Sequence, residues 1–176
     1  MTKKKNTPEP AGRKLIFIRH SKAEDHLSEI SDFERSLTAR GKVTARLMAR
    51  ILMDRDEYPG KIITSPAFRA METALIFGKE YRVSADEVKL APELYLNLIE
   101  EDFLPFIRQQ DDACQTITLF GHNPMITDMA AYFAADEPES LPKAGIYCLE
   151  FPVSSWKEVE PESGRTLYYL TPADLS

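Results

Sequence analysis

The chain has 176 residues, 43% hydrophobic and 28% charged, with 22 Lys and Arg against 28 Asp and Glu. That length and balance fit one soluble globular domain with room for a real core. No apolar run nears the roughly 20 residues of a membrane span. A formal net charge of −6 with no basic stripe argues against a nucleic-acid partner.

The opening stretch, MTKKKNTPEPAGRK, is basic at first but lacks the apolar segment of a signal peptide. Residues 1–13 are expected to be a disordered tail and 14–176 a single domain, cytoplasmic and monomeric. The two cysteines, Cys114 and Cys148, leave one disulfide open, but two buried reduced thiols are the stronger expectation.

Leu15 to Ile18 is a short all-apolar run, the pattern of a strand covered on both faces. It ends on Arg19-His20-Ser21. A polar loop follows over 20–37, and Thr38 can cap the next helix. That helix carries Val43, Leu47 and Ile51, with Met48 and Leu52 alongside, at helical spacing. Tyr58-Pro59-Gly60 ends it, and Lys61 to Thr64 reads as a second strand.

In SPAFRAMETA, Ser65 suits an N-cap and Pro66 the first helical position, with Ala67, Ala70, Met71, Ala74 and Leu75 behind. A brief strand is expected over 88–91. A further helix starts with the capping pair Asn97 and Glu100, and Pro105 predicts a kink or a later start. Gln115 to Phe120 is a third β-type run, followed by Gly121-His122-Asn123. Asn123-Pro124 repeats the cap-then-proline signal, before a helix lined by Met125, Ile126, Met129, Ala130 and Phe133. Beyond Ala144, GIYCLEF, SSWKEVE and TLYYL read as strands of an antiparallel extension. Strand-helix alternation before them argues for a mainly parallel α/β sheet with helices on both faces.

Three polar clusters thus follow three strand ends: Arg19-His20-Ser21, Ser65-Pro66 with Arg69 one turn on, and Gly121-His122-Asn123. Ligands of open α/β sheets bind outside the carboxyl ends of the strands. Two guanidiniums there would form a fork-shaped phosphate site. A neutral imidazole can take up a phosphoryl group, and a second histidine can donate to the same oxygens. Such a site needs no metal or other cofactor. His26, after Glu24 and Asp25, has no companion at ligand spacing. Lys22 and the acidic loop 136–139 read as solvated surface, and Trp156 and Tyr168 as packing.

The stretches IRHSKAE, DFERSLTARG, TSPAFRAMETA, APELY and FGHNPMI occur in the order seen in the histidine phosphatase superfamily. The chain resembles its small branch, the SixA-like phosphohistidine phosphatases, from about Lys14 to about Leu149. The resemblance implies a phosphoglycerate-mutase-like three-layer sandwich. It implies that His20 is the nucleophile, that Arg19 and Arg69 hold the phosphate, and that His122 is the second histidine of the pocket. Glu93, in APELY, stands where many members carry a general acid. Arg35 matches a basic position near the pocket mouth. Ser21 replaces the usual glycine and either adds a hydroxyl to the pocket or fits the turn. Asn123 completes the substrate-binding set. The implied activity is metal-independent removal of phosphate from protein phosphohistidine, in a phosphorylated partner such as a phosphorelay domain. A small phosphate ester as substrate, or a non-catalytic phosphate-binding module, are the alternatives.

Overall fold

The computed structural model describes residues 12–26, 29–96 and 98–175. Of the expected tail, residues 1–11 lie outside this set. Arg13 opens the first strand, where its buried guanidinium donates to the carbonyls of Asp112, Cys114 and Ser154.

Six strands form one sheet: β1 (Arg13–Arg19), β2 (Lys61–Thr64), β3 (Lys89–Leu90), β4 (Thr116–Gly121), β5 (Ile146–Phe151) and β6 (Arg165–Leu170). Their order across the sheet is β3-β2-β4-β1-β5-β6. The first four are parallel, and β5 and β6 add antiparallel to the β1 side. Four helices cover the faces: α1 (Ala39–Met53), α2 (Phe68–Glu80), α3 (Glu100–Arg108) and α4 (Met125–Phe133).

The alternation of side chains along β1 explains the three layers. Leu15 and Phe17 join Phe103 and Ile107 of α3 and Ile126 and Met129 of α4 in one core. Ile16 and Ile18 join Met48 and Leu52 of α1 and Phe77 of α2 in the other. All four β1 residues are fully buried, which is why the run has no polar member. Each such side chain is worth about 1.5–3 kcal/mol in burial.

Several local expectations need correction. Val43 and Leu47 of α1 are 54% and 39% exposed, and the buried face is Gly41, Ala45, Met48, Ala49 and Leu52. Small residues bring α1 close against α2, so the bulkier pair turns outward. The SSWKEVE stretch is a 3-10 turn over Trp156–Glu158, capped by the Ser155 hydroxyl, rather than a strand. Trp156 is fully buried there, and its indole N–H donates 2.8 Å to the Cys114 carbonyl. Helix α2 starts at Phe68, two residues later than Pro66, with Ala67 still in an extended ψ at its N-cap. Helix α3 runs through Pro105, which sits on its exposed side. Asn97 lies outside the described residues.

Other expectations agree with the structure. Thr38 caps α1, accepting from the Gly41 N–H at 2.9 Å. The buried face of α4 is Met125, Ile126, Met129, Ala130 and Phe133. Both cysteines are free; Cys148 is buried, and burial pushes its thiol up to about 12, whereas Cys114 is only half-buried. Among the described residues no helix is long and apolar enough to cross a membrane.

Candidate active site

Sheet register brings the three polar clusters together. Arg19 of β1 pairs with Gly121 of β4, and Thr64 of β2 pairs with Phe120. The residues just past these pairs are His20, His122 and Ser65. The His20 N–H donates to the Gly121 carbonyl and the Ser65 N–H to the Phe120 carbonyl, each at 3.0 Å. All three side chains therefore emerge at the carboxyl end of adjacent strands, where parallel sheets bind ligands. The two imidazole centroids are 5.2 Å apart.

His20 is 7% exposed. Its Nδ1 lies 2.7 Å from the Ser21 carbonyl oxygen. A carbonyl can only accept, so Nδ1 carries the hydrogen and Nε2 keeps its lone pair. Burial pulls the pKa of His20 down to about 4; the guanidiniums of Arg69 and Arg19 add to this, and the Ser21 hydrogen bond opposes it. The ring is neutral at neutral pH.

His122 is fixed by Ser65. Its Nε2 is 2.8 Å from the Ser65 hydroxyl, which also accepts weakly from the Ala67 N–H at 3.3 Å. The hydroxyl can either donate to Nε2 or accept from it, and when it donates, the His122 hydrogen sits on Nδ1. Burial, then the charge of Arg69, hold the His122 pKa down to about 3. Two buried nitrogens of this group have no hydrogen-bond partner among the described residues: His122 Nδ1 and Arg19 Nε. Buried donors are normally paired, so both are available to an anion. Arg19 Nη1 donates 3.0 Å to the Leu141 carbonyl, and burial lowers the Arg19 pKa.

Arg69 projects from the first turn of α2 and is 7% exposed. Asp32 holds it, accepting from Nη1 at the main-chain carbonyl and from Nη2 at Oδ2, 2.9 Å. The other carboxylate oxygen of Asp32 accepts from Arg35 at 2.9 Å. Burial works against ionising this carboxyl, but the hydrogen bonds from Arg35 and Arg69 outweigh it and keep the pKa below the ordinary carboxylate value. Arg35 also donates 2.8 Å to the Glu24 carbonyl. Arg35 therefore reaches the site through Asp32.

Of the remaining expected residues, Ser21 takes the second of its two expected roles and fits the turn. The Ser21 hydroxyl donates 2.7 Å to the Gly41 carbonyl of α1, and its N–H donates to Thr73 of α2. It ties the loop behind His20 to both helices. Asn123 Nδ2 donates 3.0 Å to the Leu141 carbonyl, and its Oδ1 accepts from Thr127 at 2.7 Å. Both Asn123 and Arg19 thus grip the same carbonyl of the segment before β5. Glu93 is exposed in the turn after β3 and forms no hydrogen bond or ion pair among the described residues.

Sequence reasoning missed Asp32 and Thr73, and placed Ser65 in a strand-end cluster without assigning it a role. The signals were present: an acid three residues before Arg35, and a serine at a strand end. A cavity of about 780 Å³ lies at the opposite, amino-terminal end of the strands, beside Arg13, Lys61 and Thr116, far from both histidines. Among the described residues no three His, Cys, Asp or Glu side chains group as a metal site requires.

A neutral imidazole with a free lone pair thus stands beside the guanidiniums of Arg19 and Arg69 at the carboxyl end of a parallel sheet, an arrangement with the chemistry to take up an anionic group. The family model of the histidine phosphatase superfamily (branch 1) matches residues 15–103, and the chain belongs to that superfamily. An uncharacterized protein of Picosynechococcus sp. is 28% identical over 165 residues, covering 89% of this chain and 94% of its own. A solved structure assigned as phosphohistidine phosphatase SixA of Agrobacterium tumefaciens is similar at a TM-score of 0.73 and 24% identity, covering 90% of this chain and 98% of that one. A protein histidine phosphatase SixA complexed with tungstate is similar at a TM-score of 0.73 and 18% identity, covering 93% and 99%. The fold is the phosphoglycerate-mutase-like α/β sandwich with a mainly parallel sheet.

Proposed function

We propose that the chain is a phosphatase that passes the phosphoryl group through His20, and that its substrate is a phosphohistidine carried by a protein. The observation that carries this reading is the Nδ1–H of His20 on the Ser21 carbonyl. It leaves Nε2 as an unprotonated nucleophile in the middle of a cationic pocket.

Arg19, Arg69 and the Nδ1–H of His122 hold the three outer oxygens. His20 Nε2 attacks phosphorus from one side while the bond to the leaving nitrogen breaks on the other. The electron pair of that bond returns to the leaving nitrogen. A phosphohistidine whose second ring nitrogen is protonated then departs as neutral imidazole, with no proton needed from the protein. The phosphorylated His20 is cationic, because Nδ1 keeps its hydrogen against Ser21, and this makes Nε2 a good leaving group in turn. Water attacks phosphorus, the pair returns to Nε2, and the proton of the water leaves with the phosphate product. Positioning and charge stabilisation supply most of the rate, as in other phosphoryl transfers. The two guanidiniums supply the charge that a metal would otherwise bring. The exposed Glu93 has no part in this route.

The likeness to SixA structures supports phosphohistidine as the substrate class. The test is phosphate release from a phosphohistidine peptide and a phosphoserine peptide in excess EDTA, with wild type and His20→Ala. Release from phosphohistidine alone, lost in the variant, is expected. Equal activity in the variant would remove His20 from the mechanism. Turnover of the phosphoserine peptide alone would replace the substrate class.

A further inference from the structure

We infer that Tyr95, braced by Phe33, is the wall against which a planar leaving group lies, and that it selects ring-bearing substrates at this site. The inference rests on the function proposed above.

Three elements each send one aromatic ring to the rim of the pocket. Tyr95 follows the turn Pro92–Leu94 after β3. Phe33 sits in the turn Asp32–Glu34. Phe68 is the first residue of α2. Tyr95 meets the His122 ring edge-on, with centroids 6.0 Å apart and planes at 75°. Phe33 meets Tyr95 at 5.1 Å and 84°, and Phe68 at 5.9 Å and 59°. The chain of rings therefore starts on a pocket histidine and runs outward, and Phe33 and Tyr95 both remain partly exposed.

The same short turn links this wall to the phosphate side. Asp32 holds Arg69, and the next residue is Phe33. The brace of the wall and the clamp on Arg69 thus sit on adjacent residues of one turn. His20 attacks from the floor, so the leaving group is directed outward, toward the rim. A planar imidazole arriving there can pack against a ring already fixed by edge-to-face neighbours, an arrangement that aromatic pairs favour. A flexible aliphatic leaving group gains less from the same surface.

Tyr95→Ala, Tyr95→Phe and wild type are compared on a phosphohistidine peptide and on phosphoramidate, which has the same P–N bond but ammonia as its leaving group. Stacking of the ring is expected to lower kcat/KM of Tyr95→Ala by about tenfold on the peptide, mainly through KM. Phosphoramidate turnover should fall much less than peptide turnover in Tyr95→Ala, and Tyr95→Phe should behave as wild type on both. An equal fall on the two substrates would make Tyr95 a support of the pocket and overturn the inference. So would no fall on either, or a Tyr95→Phe variant as impaired as Tyr95→Ala. Wild type inert toward both substrates would overturn the proposed function itself, and this inference with it.

Discussion

Asp32 binds Arg69 with two different atoms, its main-chain carbonyl and its Oδ2, and binds Arg35 with Oδ1. Arg69 is almost fully buried, whereas the Asp32 side chain is 44% exposed. One carboxylate therefore fixes the fork of a buried guanidinium from the pocket rim. Asp32 acts through Arg69, as a positioning residue.

Asp32→Asn keeps an acceptor for Arg69 but removes the charge. Small misplacement of a positioning group is costly, so kcat/KM for phosphohistidine should fall about ten- to hundredfold. Inhibition by inorganic phosphate should weaken in parallel. Tighter phosphate inhibition in the variant would show the opposite arrangement, with Asp32 competing for Arg69. Arg69→Lys should not restore activity in any background, because an ammonium cannot reproduce the fork.

The pH dependence follows from the two depressed imidazoles. His20 stays unprotonated down to about pH 4 and His122 to about pH 3. The acid limb of kcat/KM assigned to the enzyme should therefore lie well below the usual histidine value of about 6.5. Stability moves in the same direction. Both groups bind protons more readily unfolded than folded, so folding is fully favoured above about pH 6.5 and weakens as pH falls toward 4. Urea midpoints at pH 7.5 and pH 5 measure this. His20→Asn, whose amide can still donate to Ser21, should lose less stability over that interval than wild type.

Gly41 tests the packing behind the nucleophile. A Cβ there would stand 2.1 Å from the Lys22 carbonyl oxygen. Glycine to alanine within a helix ordinarily adds about 0.8–1 kcal/mol of stability. Here the sign should reverse. The loop would be pushed off α1, and the Ser21 hydrogen bond to the Gly41 carbonyl would be lost with it. Gly41→Ala should lower the thermal midpoint and the activity together. Unchanged values for both would mean that the loop behind His20 tolerates movement.

Much of this architecture was legible because its signals are local. The strands β1, β2 and β4 each carry a buried apolar stretch, and α4 has a helical stripe that matches its buried face residue for residue. The face of α1 was misread because packing against α2 favours Ala45 and Ala49 over the bulkier Val43 and Leu47. The start of α2 lies beyond the Ser-Pro signal because Ala67 stays extended, and the Ser65 hydroxyl meets both His122 and the Ala67 N–H ahead of the helix. In the site, both histidines and the arginines Arg19 and Arg69 could be named from strand ends and motifs. Their fixing groups could not. Asp32 lies 37 residues from Arg69, Ser65 lies 57 from His122, and Thr73 lies 52 from Ser21. Nothing local pairs such residues: the sheet register brings Ser65 to His122, and the packing of α2 brings Arg69 to Asp32 and Thr73 to Ser21.

The most direct test of the account is a rapid-quench experiment with a phosphohistidine peptide carrying labelled phosphate. Wild type should show a burst of label on the protein, stable in base, labile in acid and mapped to His20, and His20→Asn should show none. Full turnover with no label on the protein, or label on His20→Asn, would contradict transfer through His20.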